Sequence, residues 1–114
     1  MSLDVYLNVP SCGHCNREDE CVFQSNVTGN LARMATAADI GDALWRPGEI
    51  GITKASQLID PLTKGLAWLK ENRSEALKYQ PPNGWGTYDD FVPWVAAYLA
   101  ACVKYPNATV SVWR

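Results

Sequence analysis

The chain has 114 residues, of which 47% are hydrophobic and 19% charged, with a formal net charge of −2. That balance excludes disordered and fibrous classes and fits one globular domain over residues 1–114, able to bury roughly 65% of its extended-chain surface around its own core. No basic run exceeds two residues, so the phosphate-neutralising stripe that duplex nucleic acid requires is missing.

From Met1 the sequence shows neither a basic leader followed by an apolar run nor a stretch long and apolar enough to span a bilayer. The expectation is a soluble, cytoplasmic protein without membrane association. Its Asn26-Val27-Thr28 and Asn107-Ala108-Thr109 sequons would then stay bare, and its cysteines would stay reduced unless they hold metal.

Leu3, Val5, Leu7 and Val9 alternate with polar partners, the period-2 pattern of a half-buried strand that ends at Pro10. Cys21 to Ser25 reads as a short strand returning antiparallel, with the cysteine-bearing loop as the hairpin tip. Ser25, Asn26 and Thr28 are good N-cap residues, and Leu31, Met34, Ala35 and Ala38 follow at helical spacing, so a first helix is predicted to close near Ile40-Gly41. Asp42 to Trp45 adds one helical turn, broken at Arg46-Pro47-Gly48.

From Thr53 onward Ala55, Leu58, Ile59, Leu62, Leu66 and Leu69 form one apolar stripe. Pro61 interrupts it, which predicts a kink or two helical pieces with Asp60 capping the second. Glu75 to Tyr79 extends the helical region before a rigid turn over 81–86. Thr87 and Asp90 then resemble a capping box that opens a last helix through Tyr88, Phe91, Val95, Tyr98, Leu99 and Cys102. Thr109 to Trp113 alternates again and reads as a final strand. The order predicts an α+β fold, a small antiparallel sheet made of a β-hairpin plus a C-terminal strand, with three to four helices on one face.

Cys12-Gly13-His14-Cys15 with Cys21 holds three of the four cysteines and the only histidine. Two thiolates separated by two residues on a turn can face one zinc ion. Cys12, Cys15 and Cys21 are therefore candidate ligands of a structural zinc, the fourth coming from His14, a carboxylate among Glu18, Asp19 and Glu20, or Cys102. The tetrapeptide also matches the active site of protein disulfide isomerases. Such a site needs a helix beginning at the first cysteine to lower the thiol pKa, and the segment after Cys15 lacks an apolar helical stripe. A polar hairpin tip with incidental thiols is the third reading.

No nucleophile elbow, phosphate-cradling glycine loop or His-based triad is present, so nothing supports an enzyme. The stronger signal is for binding. Asn26, Thr28 and Asn30 surround a predicted helix start, where backbone N–H groups accept anions or are simply capped. Trp45, Arg46, Trp85 and Tyr88, with Asn83 in the same turn, add aromatic faces and a guanidinium able to stack a base and hold a phosphate, although each aromatic alone can equally be core. This reading requires the 45–48 loop and the 81–88 turn to meet near residue 26.

The motifs Asn26-Val27-Thr28-Gly29-Asn30-Leu31, Leu44-Trp45-Arg46-Pro47 and Asn83-Gly84-Trp85-Gly86-Thr87-Tyr88, together with Met34-Ala35 and the closing strand, resemble a family of small uncharacterised proteins found in bacteriophages, prophages and bacteria. The resemblance runs from about residue 22 to residue 114, leaving the cysteine loop outside it. Where the family usually carries histidine after the Asn-x-Thr step, this chain has Gly29. What the resemblance implies is a phage setting rather than a chemistry; joined to the candidate binding residues above, it leads to the expectation of a non-catalytic binding module for a small anionic or nucleotide-like ligand or a host factor. The alternatives are a protein-interaction or self-associating domain stiffened by zinc and, further off, a small thiol-redox or other enzyme.

Overall fold

Leu3, Val5 and Leu7 are fully buried while Asp4, Tyr6 and Asn8 between them keep partial exposure. This alternation makes the first strand the floor of the core. In the computed structural model, which describes residues 2–10, 19–82, 84 and 86–114, that strand is β1 (Ser2–Pro10). It lies in the middle of a three-stranded antiparallel sheet, between β2 (Asp19–Thr28) and β3 (Thr109–Trp113). The protein is thus α+β, with five α-helices among the described residues: α1 (Ala32–Ala37), α2 (Gly41–Trp45), α3 (Ser56–Glu71), α4 (Arg73–Leu77) and α5 (Tyr88–Lys104). None of them is long and apolar enough to cross a membrane.

The expected second strand is too short. β2 continues to Thr28, so Asn26 and Thr28 belong to a strand, with Asn26 opposite Asp4 and Thr28 opposite Ser2. The helix expected at that point begins later. A 3₁₀ turn over Gly29–Leu31 comes first, its Asn30 N–H donating to Thr28 Oγ1 at 3.4 Å. Helix α1 follows and stops at Ala37, with Asp39 in the left-handed region at φ 64°. A β-bulge between Leu7 and Asn8 places Cys21, rather than Val22, opposite Asn8.

Helices α3 and α5 supply the inward stripes. Leu58, Leu62, Gly65 and Leu69 on α3, and Phe91, Val95, Tyr98 and Cys102 on α5, are buried at helical spacing. Each large apolar side chain placed there contributes on the order of 1.5–3 kcal/mol. Gly65 lets α3 come so close to the α1–α2 junction that an added Cβ would run into Ile40.

Of the two outcomes expected at Pro61, a kink or two helical pieces, the two pieces with Asp60 as a cap do not form; the helix is continuous through Pro61. Pro61 and Pro93 both sit in the second turn of their helices, so the carbonyls they leave without a donor are those of Gln57 and Asp89. Both residues are exposed, and water can satisfy them. Helix α3 has no N-cap side chain of its own. Instead Gln57 folds back: its Oε1 accepts from the N–H groups of Thr53 and Lys54 at 2.7 and 2.9 Å, and its Nε2 donates to the Gly51 carbonyl at 3.1 Å. The segment fixed in this way borders β3, where Lys54 bridges Thr109 and the Val110 N–H donates to the Thr53 carbonyl. The N-cap half of the expected capping box before α5 forms, Thr87 Oγ1 accepting from the Asp90 N–H at 3.1 Å.

Candidate functional site

The sheet brings three chain segments to one end. Ser2 opens β1, Thr28 closes β2 beside it, and β3 runs antiparallel to β1 until Trp113 stands opposite Asp4. Arg114 therefore arrives next to the start of β1. Helix α2 ends nearby because Pro47 disfavours helical geometry at Arg46, which sits at φ −138°, ψ 52°. Between these pieces lies a cavity of about 580 Å³ lined by Ser2, Gly29, Asn30, Ala32, Trp45, Arg46 and Arg114.

Two guanidinium groups and an indole thus border a cavity whose lining, among the described residues, includes no acidic side chain. Glu49 compensates both, its Oε2 lying 3.7 Å from Arg46 Nε and 4.0 Å from Arg114 Nη1. These contacts are solvent-exposed and long, so each is worth well under about 1 kcal/mol and can be exchanged for a ligand anion. Glu49, Trp45, Arg46 and Arg114 also line an adjoining depression of about 410 Å³ on the β3 side.

The other sequence candidates are distributed differently. Asn26 lies on the helix-free face of the sheet, where its Nδ2 donates to Asp4 Oδ1 at 2.7 Å. Thr28 caps the 3₁₀ turn. A helix as short as α1 has too small a dipole to hold an anion by itself. Tyr88 is core: its hydroxyl donates to the Leu69 carbonyl at 2.7 Å, its N–H donates to Gln80 Oε1 at 2.8 Å, and Arg73 covers its ring at 5.4 Å. The turn that precedes it does reach the β2 end. Gly86, at φ 97°, approaches so closely that an added Cβ would lie 2.5 Å from Thr28 Cγ2 and 2.9 Å from Leu31 Cγ. Asn83 and Trp85 fall outside the described residues.

Cys12, His14 and Cys15 likewise fall outside them, and with them the expected zinc knuckle and the redox tetrapeptide. Cys21 is exposed on β2, its thiol donating to the Phe23 carbonyl at 3.3 Å. Among the described residues no three His, Cys, Asp or Glu side chains gather as a metal site.

Cys102 and Tyr98 are fully buried on α5. Burial pushes the Cys102 thiol up to about 12, and raises Tyr98 well above its ordinary value with the neighbouring Cys102 adding to the effect. A thiol held protonated in this way is chemically quiet. What the cavity residues can do is bind: paired guanidinium groups hold an anion and Trp45 offers a flat face. Sequence reasoning singled out Asn30, Trp45 and Arg46 but missed Arg114, whose place depends on the β1–β3 register. No family model, curated protein or solved structure matches the chain.

Proposed function

We propose that this protein is a non-catalytic binding module whose ligand is a small anion carrying a flat ring, of the nucleotide type, held at the Arg46–Arg114–Trp45 cavity. The observation that carries this reading is the convergence of two arginines and one tryptophan around a space of about 580 Å³ with no acidic side chain among the described lining residues. That volume falls within the usual range for small-molecule sites. In this arrangement the guanidinium groups take the anionic end in place of Glu49, Trp45 stacks on the ring, and Asn30 and Ser2 offer hydrogen-bonding groups at the rim. A phage or prophage setting, which the sequence resemblance implies, suits a protein that sequesters such a compound.

The test is a thermal-shift and calorimetric screen of the purified chain against nucleoside mono-, di- and triphosphates with inorganic phosphate as control. The expected outcome is a nucleotide-dependent rise in Tm that Arg46→Ala and Arg114→Ala each reduce at least tenfold in affinity, a loss of about 1.4 kcal/mol or more. Trp45→Ala should weaken nucleotides more than phosphate. A screen without any stabilising nucleotide, or arginine variants that bind as well as the parent, refutes the reading.

A further inference from the structure

The two edges of the sheet are treated differently. Beyond β3 the segment held by Gln57 covers part of the edge, through the Lys54–Thr109 bridge and the Val110 N–H donated to the Thr53 carbonyl. Beyond β2 no strand lies among the described residues, although β2 is ten residues long. Edges of this kind are ordinarily blunted by proline, lysine or other charge. From Phe23 to Thr28, β2 has none of these; its charges, Asp19 and Glu20, and its bulge at Val22 all lie toward the other end of the strand.

An open edge presents backbone N–H and C=O groups in ladder spacing, so its natural occupant is another strand. We propose that this occupant is the β2 strand of a second copy, paired antiparallel about a two-fold axis through Ser25, so that the three-stranded sheets of two chains become one continuous sheet. The symmetry of the strand selects both partner and register. Phe23, Ser25 and Val27 oppose Leu7, Val5 and Leu3 and so belong to the core face, whereas Gln24 and Asn26 oppose Tyr6 and Asp4 on the helix-free face. Rotation about Ser25 sets Phe23 against Val27 of the second copy on the first face and Gln24 against Asn26 of the second copy on the other.

Apolar thus meets apolar and amide meets amide, pairings of the kind that stabilise antiparallel strands. Residues 19 and 20 would stand opposite 31 and 30, beyond the end of the strand, so no charge opposes a like charge. Centring on Ser25 keeps the pairs from residue 23 to residue 27 within the regular part of β2, and the next pair, Val22 with Thr28 of the second copy, reaches the bulge. Beneath that part Phe23 is stacked on Tyr98 of α5 at 5.6 Å, with Trp94 a further 5.6 Å from Tyr98. Phe23 and Trp94 are only partly buried in the single chain, so a neighbouring core face has apolar surface to cover.

Sedimentation equilibrium of the full chain tests the proposal. The expected mean mass rises from 12.6 kDa toward twice that value as concentration goes from micromolar to millimolar. The double variant Gln24→Lys with Asn26→Lys, which sets two lysines against each other across the axis, should remain monomeric with an unchanged far-UV spectrum. In the unsubstituted chain, amide exchange at residues 23–27 should slow as concentration rises while exchange in α3 does not change. A parent that stays at 12.6 kDa at millimolar concentration, a dimer that survives the double lysine substitution, or exchange in β2 independent of concentration overturns it. None of these outcomes depends on the ligand cavity, so the two proposals stand or fall separately.

Discussion

Tyr98 and Cys102 lie one helical turn apart on the buried stripe of α5, and neither gains anything polar there. The Tyr98 hydroxyl has no hydrogen-bond partner among the described residues, which costs about 1–3 kcal/mol of desolvation, and is offset by stacking against Phe23. Because burial raises both groups, the folded chain keeps their protons where the unfolded chain releases them, starting near pH 9 for the thiol, with its folded value at about 12. Their stabilising effect is complete below pH 9 and is lost as the pH climbs from 9 toward 12. Urea unfolding between pH 8 and 11 should show stability falling with pH, with a shallower fall in Cys102→Ala, a variant weaker than the parent below pH 9. Equal slopes in parent and variant would refute the assignment. At the same scale Tyr88, which the sequence offers both as a ligand-facing ring and as the first member of the helical series with Phe91 and Val95, takes the inward place of that series.

Among the elements, β1, β3, α3 and α5 were legible because their burial periods, two and 3.6, are written in runs long enough to read. β2 was legible only in its first half. Its continuation carries Asn26 and Thr28, residue types that serve caps and turns as readily as a strand with one solvent-facing side, so local chemistry favoured an early helix and tertiary pairing with β1 decided otherwise. The capping box of α5 was recognised by type and spacing alone, and it gives a direct measurement. Thr87→Ala removes the acceptor for the Asp90 N–H and should lower stability by about 1 kcal/mol, within a range of 0.5–2; Thr87→Ser should recover most of it. A loss below a few tenths of a kcal/mol would mean that the adjacent Gly86–Thr28 contact, not the cap, fixes the start of the helix. The cavity was half legible for the same reason: Trp45 and Arg46 interrupt a helix before a proline, a local signal, whereas Arg114 gains its place only through strand register.

At the scale of the whole molecule, one core joins all layers, and its central strand is completed by residues distant in sequence. Val110 and Val112 stand opposite Leu7 and Val5, and Asn8 Nδ2 donates to Ser111 Oγ at 3.4 Å. Removing residues 109–114 would strip one full ladder from β1 and uncover the buried Leu3, Val5 and Leu7 row. The truncated chain should lose its cooperative unfolding transition by near-UV circular dichroism and bind hydrophobic dyes, and regain the transition when a peptide covering 108–114 is added. A truncated chain that melts as sharply as the parent would show that the hairpin and helices fold without β3.

The same arrangement has a consequence inside a cell. β1 and β2 leave the ribosome together and can form their hairpin at once, but Ser111 is made 103 residues after its partner Asn8. At ordinary elongation rates that is roughly 5–20 s, during which one side of β1, with its row of leucine and valine, waits without its second neighbour. For that interval the nascent chain is a substrate for holdase chaperones, and slow translation of its second half should increase that dependence.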